Sequence, residues 1–106
     1  MASGKLGSVD LTANTYATVY TVPASKVATL NVAMVNRGAA GATVRIALST
    51  EATTPANTDF IEYDVVIPAN GVLERTALVA GAGEKVMIIS TSADVSARVH
   101  GFEGAV

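Results

Sequence analysis

Apolar side chains recur at every second residue along much of this chain, and that period belongs to β-strands. Across residues 28–35, Ala28, Leu30, Val32 and Met34 alternate with Thr29, Asn31, Ala33 and Val35. Val44, Ile46 and Leu48 alternate with Thr43, Arg45 and Ala47. Across residues 16–22, Tyr16, Thr18, Tyr20 and Val22 share one expected face, with Ala17, Val19 and Thr21 on the other. Further strands are expected over Phe60–Ile67, 72–79, Lys85–Ser90 and 95–102. β-Branched residues dominate these runs, as a pleated, half-buried surface favours. No long helical period and no 20–50-residue repeat interrupts them.

The punctuation fits the same reading. Pro23, Ala24 and Ser25 separate two strands. Residues 36–41 read as a Gly-bearing hairpin loop, and residues 68–71 as a tight turn whose Asn70-Gly71 pair supplies positive φ. Residues 80–83 and 92–94 are expected to close later hairpins. Turns at intervals of about 8–12 residues predict an all-β fold: an antiparallel β-sandwich, jelly-roll or Ig-like, of about seven or eight strands. Residues 50–58 contain Pro55 and no apolar period, so they are expected to form an exposed loop crossing between sheets. Residues 1–11 form either an N-terminal arm or an edge strand, with Leu6, Val9 and Leu11 able to dock it. Residues 12–106 form the sandwich domain.

The 106 residues suffice for one domain. Half are hydrophobic but only 5% are aromatic, so Ala, Val, Ile and Leu must fill the core. Charged residues make up 15%, against about 25% in ordinary soluble domains. That poverty suits a surface partly covered by a partner, and equally a skin rich in Thr and Ser. The net charge of −2 and the scattered Lys and Arg leave no basic footprint for nucleic acid. Without cysteine there is neither a disulfide framework nor a thiolate metal site. No apolar run is long enough for a membrane span, and the N-terminal residues lack the apolar run of a signal peptide.

Catalytic chemistry finds no constellation. His100 is the single histidine, and neither a nucleophile with an orienting carboxylate nor a set of zinc ligands accompanies it. Glu62 and Asp64 stand two apart, share an expected strand face, and are expected to meet water or Arg75. The loops lack the dense Asp, Asn and Gly spacing of a calcium cage. Gly38 with Gly41 and Gly81 with Gly83 lie between strands, whereas a phosphate cradle opens a helix. Tyr16 and Tyr20 are expected to be buried anchors with hydroxyls at the rim, although exposed aromatics could also make a sugar platform. Catalytic, cofactor and metal residues are therefore all expected to be none, and the chain is not expected to be an enzyme.

Several segments together resemble a family of small virion structural proteins of tailed bacteriophages, especially marine and cyanobacterial ones. They are Val-Tyr-Thr-Val-Pro-Ala at 19–24, Val-Asn-Arg at 35–37, Ile-Glu-Tyr-Asp at 61–64, and Ile-Pro-Ala-Asn-Gly-Val-Leu-Glu-Arg-Thr at 67–76. The close His-Gly-Phe-Glu at 100–103 is similar to the family's aromatic-Gly-Phe-Glu ending, with His in the aromatic's place. The likeness spans nearly the whole chain but rests on scaffold and turn residues, so it marks no site. It implies a capsid decoration or cement protein, made in the host cytoplasm and placed on the virion. The expected partners are itself, as a homotrimer or other symmetric oligomer, and the major capsid protein or another virion protein. Neither nucleic acid nor membrane is expected as a partner. The alternative is a tail or fibre component, including a receptor- or carbohydrate-binding module.

Overall fold

The computed structural model describes residues 3–105, which form eight strands and one short 3-10 turn. The strands are β1 (Ser3–Asp10), β2 (Ala17–Thr21), β3 (Lys26–Asn36), β4 (Ala42–Ser49), β5 (Phe60–Ile67), β6 (Val72–Gly81), β7 (Lys85–Ser90) and β8 (Val95–Ala105). They pair antiparallel in two four-stranded sheets, ordered β1-β8-β3-β6 and β2-β7-β4-β5. That nested order, with the first strand beside the last, is a jelly roll. It decides between the two sandwich topologies that the strand count alone left open.

Alternation builds the core. Leu30, Val32 and Met34 of β3 and Val95 and Val99 of β8 face Val44, Ile46, Val86 and Ile88 of β4 and β7, all fully buried. Each such side chain contributes about 1.5–3 kcal/mol on burial. The N-terminal segment joins in: Leu6 and Val9 pack on the core, Leu11 is buried, and β1 is an edge strand hydrogen-bonded to β8. Met1 and Ala2 lie outside the described residues.

The connections differ from the expected hairpins. Every link passes from one sheet to the other except β4–β5, whose strands are in-sheet neighbours. Thus residues 36–41, 68–71, 80–83 and 92–94 are crossovers, and residues 50–58, read as crossing, form the single in-sheet link. Glycine, proline and asparagine signal that the chain reverses. They do not say whether the next strand lies ~4.8 Å away in the sheet or ~10 Å away across the sandwich. At 68–71 only Asn70 takes positive φ (59°), with the Gly71 N–H donating to Pro68 O at 2.8 Å.

Buried Asn36 ties two of these crossovers together. Its amide nitrogen donates to Ala40 O at 2.9 Å and Ile67 O at 3.0 Å, and its Oδ1 accepts from the Gly38 N–H at 2.9 Å. A buried amide is tolerated because both its ends are bonded.

Each of the four edge strands carries a bulge, while the central β3–β8 and β4–β7 ladders run without a register shift. The extra residues always lie on the edge: near Leu6 in β1, Val19 in β2, Ile61 and Asp64 in β5, and Ala77 in β6. A bulge breaks the period of two. In β2 it brings Ala17 and Val19 onto the core beside Tyr20 and Val22, so the expected single face of Tyr16, Thr18, Tyr20 and Val22 is not formed. In β5, Asp64 at φ 55° turns away from Glu62, so those carboxylates do not share a face. Glu62 meets Arg75 at 3.1 Å between the edges of the two sheets, and Asp64 meets Arg45.

Candidate interaction face

The two outer faces of the sandwich are chemically different. On the β2-β7-β4-β5 face, Ala47 and Met87 are buried yet stand outside the core cluster, because Ile46, Val86 and Ile88 take the inward positions beside them. A shallow cleft there is lined by Tyr16, Thr18, Met87 and residues 52–54 of the β4–β5 link. The Phe60 ring stands edge-on to Tyr63 at 5.0 Å and 6.5 Å from Tyr16. Arg45 lies over the Tyr63 ring at 4.0 Å and donates to Asp64 at 2.6 Å. That hydrogen bond holds the Asp64 carboxyl below its ordinary range, and Asp64 and then Tyr16 fix the guanidinium more firmly in its charged form. The aromatic and charged groups of this face therefore already have partners within the chain.

Only Tyr20 of the expected anchor pair is buried; Tyr16 is half-buried on the outside and Tyr63 is exposed. Tyr20 donates its hydroxyl to buried Glu103. Burial, then that hydrogen bond and the carboxylate's charge, push the Tyr20 phenol above its ordinary range. Neither Asn36 nor Glu103 was singled out from sequence. For Glu103 the signal was present: the inward series Val95, Ala97, Val99 reaches it two steps later.

On the β1-β8-β3-β6 face fewer charged side chains have partners within the chain. Register sets its outward residues in rows across the strands: Ser3, Phe102, Thr29 and Val79 at one end; Ser8, Arg98, Ala33 and Glu74 in the middle; Asp10, Ser96, Val35 and Val72 at the other. Val79 is 64% exposed, Val72 57%, Phe102 50% and Val35 39%, so large apolar groups stand in solvent at both ends. Between them lies a shallow depression lined by Asp10, Ala33, Val35, Ser96 and Arg98. Arg98 and Glu74 are exposed and belong to no ion pair among the described residues.

The row of Phe102 depends on a glycine. A Cβ at Gly101 (φ 151°) would strike the Thr29 carbonyl oxygen and lie 2.8 Å from Leu30 Cα, so β8 approaches β3 here only because Gly101 has no side chain. His100 lies in the neighbouring row with Lys5 and Asn31, its Nδ1 buried without a hydrogen-bond partner among the described residues. Those residues include no group of three or more His, Cys, Asp or Glu side chains placed to hold a metal ion.

Fold and surface together define an eight-stranded jelly roll with edges blunted by bulges and with Phe102, Val79, Val72 and Val35 exposed on one sheet face. Comparisons with family models, with curated proteins and with solved structures found no match.

Proposed function

We propose that this chain is a non-enzymatic virion structural protein of a tailed phage, present in many copies as a capsid decoration or cement protein. It stabilises the head by associating with itself, as a trimer or other symmetric oligomer, and with the major capsid protein. The observation that carries this reading is the β1-β8-β3-β6 face, with Phe102, Val79, Val72 and Val35 exposed on a bulge-edged sandwich. Val35 and Val72 are neighbours in register at one end and Phe102 and Val79 flank Thr29 at the other, and apolar patches rimmed by polar residues mark interaction sites. Small contacts repeated over a symmetric shell sum to a large stabilisation. The sequence likeness at 19–24, 35–37, 61–64, 67–76 and 100–103 supports the same reading. Fold alone does not, because jelly rolls serve capsids and lectins alike.

A second reading, a tail-tip module binding a receptor or carbohydrate, is favoured by one feature: the Tyr16, Phe60 and Tyr63 cluster on the opposite face. Adding labelled chain to particles that lack it separates the two. Decoration predicts dense labelling of the head and a higher temperature of genome release. Labelling confined to the tail tip, or no binding at all, overturns it.

A further inference from the structure

We propose that two copies of the chain pack face to face through the β1-β8-β3-β6 sheet, about a two-fold axis lying along β3. This deepens the function proposed above, resting on its self-association alone, and names the surface and the symmetry.

The inference comes from the cross-strand rows. A two-fold along β3 keeps each row at its own height and exchanges the β8 side with the β6 side. Phe102 of one copy then lies over Val79 of the other, and Arg98 lies over Glu74. Two side chains that stand exposed and unpaired within one chain thereby acquire opposite-charge partners, twice over by symmetry. In the third row, Val72 of one copy is brought to Ser96 of the other, the wall of the depression lined also by Ala33 and Val35. Each copy thus offers both a protruding valine and the hollow that receives it. Thr29, Asn31, Ala33 and Val35 of β3 lie on the axis itself and meet their own copies.

Other placements lose these matches. Moving the axis between β8 and β3 sets Phe102 over Thr29, Arg98 over Ala33 and Asp10 over Val72, leaving charges against apolar groups. Edge-to-edge pairing is opposed by the bulge on every edge strand. The match also tolerates sheet twist. Strands ~4.8 Å from the axis, under an inter-sheet rotation of ~30°, shift by only about 2.5 Å, less than half the ~7 Å between same-face residues.

Sedimentation velocity of the full chain over a wide concentration range tests the proposal. The expected result is a monomer–dimer equilibrium. Arg98→Glu and Glu74→Arg should each weaken it by about tenfold or more, and the double variant should recover most of the loss. Val79→Asp should give monomer, while Val66→Asp, on the opposite face, should leave the dimer unchanged. All these positions are exposed, and unchanged circular dichroism and melting will verify that the variants fold. A chain that stays monomeric, a trimer as the main species, or a double variant as weak as either single one overturns the two-fold face. If a monomeric chain still coats particle heads, this inference and the self-association it rests on fail while capsid decoration stands; if a dimer forms but never binds particles, only the decoration reading fails.

Discussion

Tyr20 on β2 and Glu103 on β8 meet inside the sandwich, where the phenolic O–H donates to the carboxylate at 2.6 Å and links the two sheets across 83 residues of sequence. Glu103 is 8% exposed, and no other acidic side chain is buried among the described residues. In an aromatic-poor core, the single buried tyrosine gives this carboxylate its hydrogen bond. Tyr20→Phe should therefore destabilise the fold by about 2 kcal/mol in urea unfolding, since a buried acceptor left unmet loses its desolvation compensation. Tyr20→Phe with Glu103→Leu should be more stable than Tyr20→Phe alone. Equal stability of wild type and Tyr20→Phe would show that the bond contributes nothing net.

The same pair predicts an alkaline weakness. The phenol is raised above its ordinary value of 10.0, chiefly by burial. In the unfolded chain it ionises first, so the stabilisation is complete below about pH 10 and is lost as pH rises through the folded value. The stability difference between wild type and Tyr20→Phe, followed by urea titration at increasing pH, should shrink above pH ~10. A difference independent of pH there would contradict the raised phenol.

Ala77 holds φ 59° in the β6 bulge, with its N–H donating to Asn31 Oδ1 at 3.1 Å. A Cβ in this region costs about 1–2 kcal/mol, partly offset by the greater chain entropy of glycine when unfolded. Ala77→Gly should raise stability by up to about 1 kcal/mol. Gly101→Ala should do the reverse and cost about 1–3 kcal/mol or more, because its methyl group meets the Thr29 carbonyl. Thermal melts of both variants check the pair of signs.

Val32 is 1% exposed at the middle of β3, facing the opposite sheet. Val32→Asp should abolish cooperative folding, since an unpaired carboxylate in that layer costs several kcal/mol, a large share of a small domain's stability. Retention of a sharp melting transition would mean that the β3 register is wrong.

Arg45 keeps the Asp64 carboxyl ionised to lower pH than an ordinary aspartate. The interaction is in place above the ordinary carboxylate range and is lost as pH falls through the depressed folded value. Carboxyl carbon shifts followed by NMR should show Asp64 titrating low, and Arg45→Ala should return it to the ordinary range.

Strand positions were largely legible because facing is a local property. The alternation over 28–35 places Ala28, Leu30, Val32 and Met34 inward, as found, and Phe60–Ile67 and Lys85–Ser90 match observed strands to the residue. Pairing is not local. Residues 36–41 and 80–83 carry the glycines of hairpins, yet each joins strands in opposite sheets. The bulges at Val19, Asp64 and Ala77 were equally silent, because a single inserted residue changes which side a chain presents without changing its composition. The row of Arg98, Ala33 and Glu74 became visible only once register aligned β8, β3 and β6. These residues are 33 to 74 in one direction and 33 to 98 in the other, and no motif connects them.

The neighbours of β3 have a consequence for synthesis. β3 lies between β6 and β8, and β1 pairs only with β8, so the first and third strands find their in-sheet partners late in the chain. On the ribosome, the β1-β8-β3-β6 sheet cannot close until residues 95–105 have emerged from the exit tunnel. Such non-local closure makes folding slow relative to helical domains of this length. Until the last strand arrives, the nascent chain must keep the apolar side of β3 away from its neighbours on the polysome.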